Sequence, residues 1–153
     1  MSALEGADDL GTAIQHELGH VVTLAGTDLR VHSVHGLHHW LIEGIAEYIA
    51  HGRRPVTGNQ WASLRRLGTA PSSLKLPPLP DNANAKQAER FYGFSHFGVN
   101  CIAATYGEER LLTFVDRVLR GASTTERGSR TAFGKPFDAV NRHCVNQLTR
   151  RLT

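Results

Sequence analysis

Apolar residues recur at every third or fourth position along most of this chain, a spacing that places them on one face of an α-helix. The pattern predicts helices over about 9–25, 38–51, 59–67, 85–106, 108–120 and 123–133, and from 137 to the C-terminus. We therefore expect a mainly α fold with about six to seven helices and little or no sheet. At 153 residues, the chain is long enough for one domain with its own core, covering 1–153.

The apolar stripes also predict which side chains pack inside. In the first helix these are Ile14, Leu18, Val21, Val22 and Leu24. In the third they are Trp61, Leu64 and Leu67, and in the fourth Phe91, Phe94, Gly98, Cys101 and Ile102. In the fifth they are Leu111, Leu112, Val115, Val118 and Leu119, and in the last Phe137, Val140, Cys144 and Leu148.

Capping residues and connections mark the helix ends. Asp8 and Asp9 are expected to cap the first helix, and Ser123 the sixth. Glycines are expected to end helices at Gly26, Gly52, Gly107 and Gly121. Residues 27–37 form a connection with short strand-like alternation, in which His32 and His35 are expected to be exposed loop histidines.

Composition narrows the class of protein. The chain is 41% apolar and 20% charged, with a net charge of +3 spread over scattered basic pairs, so a nucleic-acid partner is not expected. No apolar run approaches ~18 residues and no signal segment opens the chain, which favours a cytoplasmic protein without a membrane segment. Cys101 and Cys144 lie in helical patterns far apart, so a disulfide and two buried thiols are both open.

The candidate chemistry begins in the first helix with His16-Glu17-Leu18-Gly19-His20, an HExxH pattern. Residues four apart share a helix face, roughly 6 Å along the axis, so His16 and His20 can bind the same metal ion. Glu17 lies about 100° around the helix, where it can hold a metal-bound water as a base. Two histidines with one further protein ligand are typical of a catalytic zinc site.

The second helix supplies the further ligand. Glu43 and Glu47 are again four apart, so Glu43 can complete a His2Glu site while Glu47 accepts the second ring N–H of a ligand histidine. His38 and His39 compete with Glu43 for the ligand role, but the Glu47 partner one turn further on favours Glu43. The alternative HExxHxxGxxH pattern fails because Thr23 stands where it needs Gly and Gly26 where it needs His.

HELGH followed by WLIEGIAEY resembles the gluzincin metallopeptidases, especially their small peptidase MA-like members. The resemblance implies a helical metallopeptidase domain in which His16, His20 and Glu43 bind Zn²⁺. It also implies that Glu17 is the general base of peptide hydrolysis. In that family a Tyr or a His donates a hydrogen bond to the oxyanion, a role that the resemblance assigns to Tyr92 or, alternatively, His96.

The chain departs from the family pattern in two ways. Only about a dozen residues precede HELGH, where gluzincins usually have a β-sheet that receives the peptide substrate, so this sheet is missing or the chain is the C-terminal part of a longer one. The chain also has no G-x-M-E-N segment, so endopeptidase action is expected rather than aminopeptidase action. The rival hypotheses are a non-catalytic zinc-binding scaffold and a purely structural helical domain.

Overall fold

The computed structural model describes residues 3–25, 38–121 and 123–153, with side chains from residue 10 onward. The stop at Gly26, the 27–37 connection, His32 and His35 lie outside the described residues. Within the described ranges the chain forms seven α-helices, and no strand occurs there. The prediction of a mainly α fold is confirmed.

The helices follow the predicted order closely. They are α1 (Ala3–Leu24), α2 (His39–Ala50), α3 (Gly58–Arg66), α4 (Ala85–Tyr106), α5 (Glu108–Val115), α6 (Thr125–Phe133) and α7 (Phe137–Leu152). A π-helical turn over Asp116–Arg120 extends α5. None of the helices in the described ranges has the length and apolar character needed to cross a membrane.

Two of the predicted caps are wrong. The first helix begins at Ala3, so Asp8 and Asp9 lie inside it and cannot be its N-cap. The sixth helix is capped by Thr124, whose hydroxyl accepts a hydrogen bond from the backbone N–H of Arg127, and not by Ser123. The second error arises because Ser and Thr are both good caps, so the sequence alone does not select between two neighbours.

Helix α2 lies at the centre, packed between α1 and α4, and most of its residues are buried. Two glycines permit this close approach. A Cβ on Gly44 would lie 2.5 Å from the backbone oxygen of Ser95 on α4, and a Cβ on Gly19 would lie 3.0 Å from the Cα of Ala46. Each metal-site motif therefore contains the glycine that lets its helix pack closely.

The C-terminal helices complete the core largely as their stripes predict. All four predicted residues of α7 are buried, as are those of α4, whereas Leu112 of α5 is exposed. The rings of Phe114 and Phe137 stack with centroids 5.9 Å apart. A disulfide between Cys101 and Cys144 joins α4 to α7, which decides between the two alternatives that the sequence leaves open.

The prediction for the first helix is wrong for four of its five residues. Leu24 packs partly against the core, but Ile14, Leu18, Val21 and Val22 are exposed. The side of α1 that meets α2 instead carries Gly19, which permits a close approach to Ala46, and the two motif histidines, which contact Glu43.

Candidate metal centre

Three side chains from α1 and α2 converge on one point. His16 Nε2 lies 3.0 Å from His20 Nε2 and 3.3 Å from Glu43 Oε2, and His20 Nε2 lies 3.2 Å from the same oxygen. Ligands of a tetrahedral zinc ion are about 3.3–3.4 Å apart, because zinc–nitrogen bonds are about 2.0–2.1 Å long. The three atoms therefore stand close to the spacing that one zinc ion requires. We refer to His16, His20 and Glu43 as the metal triad.

The hydrogen bonding of the metal triad also fits a bound cation. Glu43 Oε2 is buried and accepts no hydrogen bond among the described residues, although two ring nitrogens lie beside it. Buried polar atoms are nearly always satisfied, so an orphaned carboxylate oxygen at this place calls for a partner. A cation at the centre of the triad would satisfy it. The residues present thus fit a zinc ion.

Glu47 fixes the orientation of His16. Its Oε1 lies 2.8 Å from His16 Nδ1, so His16 donates its Nδ1–H to Glu47 and keeps the Nε2 lone pair for a metal. Burial alone would raise the pKa of Glu47, but the hydrogen bond with His51 and the charges of the neighbouring histidines outweigh it and lower that pKa. Glu47 is therefore an ionised acceptor, as the sequence predicts for the partner of a ligand histidine.

Glu17 and Tyr92 line a cleft beside His16 of the metal triad. Together with Thr12, Ala13, His16 and Glu47 they surround this cleft of about 420 Å³. The Tyr92 ring lies edge-on to the His16 ring, with centroids 6.0 Å apart. Burial, together with the carboxylates of Glu43, Glu47 and Glu17, raises the pKa of Tyr92, so its phenol keeps its proton. One cleft therefore holds a carboxyl group, that of Glu17, and a protonated phenol, that of Tyr92.

His96 lies on the other side of Glu47, away from the metal triad. Its ring stacks on that of His51, with centroids 4.8 Å apart and an angle of 17° between the planes. Burial and the nearby His51 lower its pKa to about 4, so it is neutral near pH 7. Of the two residues predicted to stabilise an oxyanion, Tyr92 is the one that borders the triad directly.

The remaining candidates stand apart from the triad. His38 and His39 belong to neither group of metal-ligand side chains in the described part of the chain. His38 Nδ1 lies 3.5 Å from the Thr125 hydroxyl instead. The sequence analysis missed His51, which follows Glu47 by four residues and makes a 3.3 Å contact with it. The i, i+4 spacing of Glu47 and His51 is the sequence signal that indicates this contact.

Comparisons with protein-family models, with curated proteins and with solved structures found no match to this chain. The resemblance to gluzincin peptidases therefore rests on HELGH, on WLIEGIAEY and on the geometry of the side chains that these two segments bring together.

Proposed function

We propose that this chain is a zinc metallopeptidase that hydrolyses peptide bonds, with His16, His20 and Glu43 as the metal ligands. The observation that carries the proposal is the arrangement of the metal triad. Its three ligand atoms lie 3.0–3.3 Å apart, and one of them is the orphaned carboxylate oxygen of Glu43. Two imidazoles and one carboxylate with an open side are the donor set of hydrolytic zinc sites.

The chain's own residues would divide the work of hydrolysis. A zinc ion bound here would supply Lewis acidity, polarising the scissile carbonyl and acidifying a water molecule. Glu17 takes the proton from the attacking water and returns it to the leaving amine. Tyr92 donates its phenolic hydrogen to the developing oxyanion. Glu47 holds the His16 ring in the tautomer that leaves Nε2 free.

A non-catalytic zinc-binding scaffold is the second candidate. One observation favours it, namely that the described residues contain no strand to which an extended peptide could add through main-chain hydrogen bonds. Against it stands Glu17, which a purely structural zinc site does not need. The two candidates share the metal triad and differ in whether Glu17 has a chemical role.

Replacing Glu17 separates these candidates. Glu17→Gln keeps the size of the side chain, removes the base and leaves the ligands untouched, so zinc content should stay near one ion per metal triad while hydrolysis of an unstructured protein falls about 10²–10⁴-fold. Glu109→Gln, the same change at an exposed position on α5, should leave the rate unchanged. Full activity in Glu17→Gln would refute the mechanism.

The ligands need their own test. His16→Ala and Glu43→Ala should each lose the zinc of the triad, as measured by elemental analysis. A zinc content equal to that of the wild-type protein in both variants would refute the triad. A zinc content lower than that of the wild type in both variants, with no hydrolysis by the wild-type protein, would favour the scaffold.

A further inference from the structure

A second group of metal-ligand side chains lies beside the metal triad. Glu47, His51 and His96 each offer one ligand atom, and these three atoms lie within 4.8 Å of one another. Glu47 and His51 come from the C-terminal end of α2, and His96 comes from the middle of α4. We refer to these three residues as the second cluster.

The histidine from α4 carries the strongest signal in this cluster. Only 5% of His96 is exposed, and its Nε2 atom is buried without a hydrogen-bond partner among the described residues. An unsatisfied buried polar atom destabilises the folded state. A close helix–helix interface between α2 and α4 would not be expected to carry that cost for packing alone, since an apolar ring would fill the same space.

Glu47 links the second cluster to the metal triad. Its Oε1 accepts the hydrogen bond from His16, while its Oε2 lies 3.3 Å from His51 Nε2. The 3.3 Å contact already matches the separation of two ligands on a tetrahedral zinc ion, about 3.3–3.4 Å. One carboxylate can thus orient a ligand of the first ion and bind a second ion with its other oxygen.

Two features favour metal binding at the second cluster, namely an adjoining pocket and the space in which the His51 side chain can turn. The three residues border a pocket of about 300 Å³, which leaves space for a water or another exogenous ligand. The stacked rings of His51 and His96 must tilt towards one another to share an ion. His51 can do so because it follows the last residue of α2 and its side chain is 37% exposed.

We infer that Glu47, His51 and His96 form a second binding site for a divalent transition-metal ion. Two imidazoles and a carboxylate suit zinc, cobalt, nickel or copper better than magnesium or calcium. The imidazole of His16 and the carboxylate of Glu47 separate the two ions, so they do not form a two-metal centre of the kind with ions about 3.5–4 Å apart. The second ion would hold Glu47 in place and form one wall of the pocket.

Metal stoichiometry tests this site without relying on activity. Equilibrium dialysis of the untagged protein over a range of free zinc, with elemental analysis, should give about two ions per chain in the wild type and about one in His51→Ala. His16→Ala should also bind about one, and the double variant none. His143→Ala, which removes an exposed histidine on α7, should still bind about two.

Several outcomes would overturn the inference. The site does not exist if His51→Ala binds as many ions as the wild-type protein over the whole range of free zinc. His96→Phe provides a second variant that preserves packing volume, and circular dichroism shows whether each variant is folded. Failure of the proposed function would look different, because His16→Ala would then leave the number of bound ions unchanged while His51→Ala lowered it.

Discussion

Helices α1 and α4 are both 22 residues long and both pack on α2, yet they are attached in different ways. Ten residues of α4 are buried, including three phenylalanines. Over positions 10–24 of α1, only Gly19 and Thr23 are buried. Five large apolar side chains of α1 are exposed, namely Leu10, Ile14, Leu18, Val21 and Val22.

Polar contacts take the place of apolar burial at α1. His16 contacts both Glu43 and Glu47, His20 contacts Glu43, and the guanidinium of Arg120 donates to the backbone oxygen of Val22 at 2.8 Å. Apolar packing thus positions α4, whereas the side-chain contacts of His16 and His20 with α2 help to position α1. The metal triad should therefore matter for the docking of α1 and little for the rest of the core.

The largest expected effect concerns the disulfide on the α4 side. Replacing both Cys101 and Cys144 by Ala removes a cross-link between residues 43 positions apart, which should lower the free energy of unfolding by about 4 kcal/mol. Chemical denaturation measures this, with the zinc content of the metal triad expected to be unchanged. A reductant should destabilise the wild-type protein and leave the double variant unaffected.

The Cys101–Cys144 disulfide also bears on the cellular compartment of the protein. Disulfides persist in oxidising compartments and are rare in the cytoplasm. The oxidation state of Cys101 and Cys144 in the source cells, measured by thiol labelling, therefore tests the cytoplasmic localisation that the sequence predicts. Labelled thiols would agree with that prediction, and protected ones would contradict it.

A matched pair of isoleucines tests the packing difference directly. Ile102 on α4 is 0% exposed, so Ile102→Ala should lower the free energy of unfolding by about 2–5 kcal/mol. Ile14 on α1 is 52% exposed, so Ile14→Ala should change it by no more than about 0.5 kcal/mol. Similar losses in the two variants would contradict the contrast between the helices.

Metal removal should act on α1 selectively. Zinc at about 100 times its dissociation constant stabilises the fold by about 2.7 kcal/mol, and a chelator removes this contribution. Hydrogen exchange should then speed up for the amides of α1 and stay slow in α4. His16→Ala should show the fast pattern with or without zinc. Equal loss of protection in both helices would mean that the triad does not position α1.

Alanine substitutions at the two interface glycines should have the smallest effects on stability, and they separate an effect on stability from an effect on zinc affinity. Gly44→Ala places a Cβ against the Ser95 backbone and should cost about 1–3 kcal/mol of stability. Gly19→Ala meets Ala46 at 3.0 Å and also gains about 1 kcal/mol of helix propensity, so stability should change little. Zinc affinity should nevertheless fall in Gly19→Ala, because α1 must move away from Glu43.

Apolar periodicity and i, i+4 spacing within helices explain which features could be predicted from the sequence. The periodic stripes predict all seven helices, although α1 begins earlier than predicted, and the i, i+4 spacing of His16 with His20 predicts that the two rings share a face. The pairing of Glu43 with Glu47 predicts the third member of the metal triad and the partner of His16. The helices and the shared faces within each helix depend on helix geometry alone, which a few consecutive residues specify, whereas the contacts of Glu43 and Glu47 with His16 also require α1 to pack on α2.

Only the tertiary structure decided which surfaces meet. The exposed stripe on α1, the Cys101–Cys144 bond, and the meeting of His51 with His96 all join residues from different helices or depend on a neighbour being present. A stripe of apolar residues indicates that a helix face can be buried. The packing of the other helices determines whether that face is buried. Here the close approach of Gly19 to Ala46 and the contacts of the histidines with Glu43 turn the histidine face of α1 inward, so its apolar face points outward.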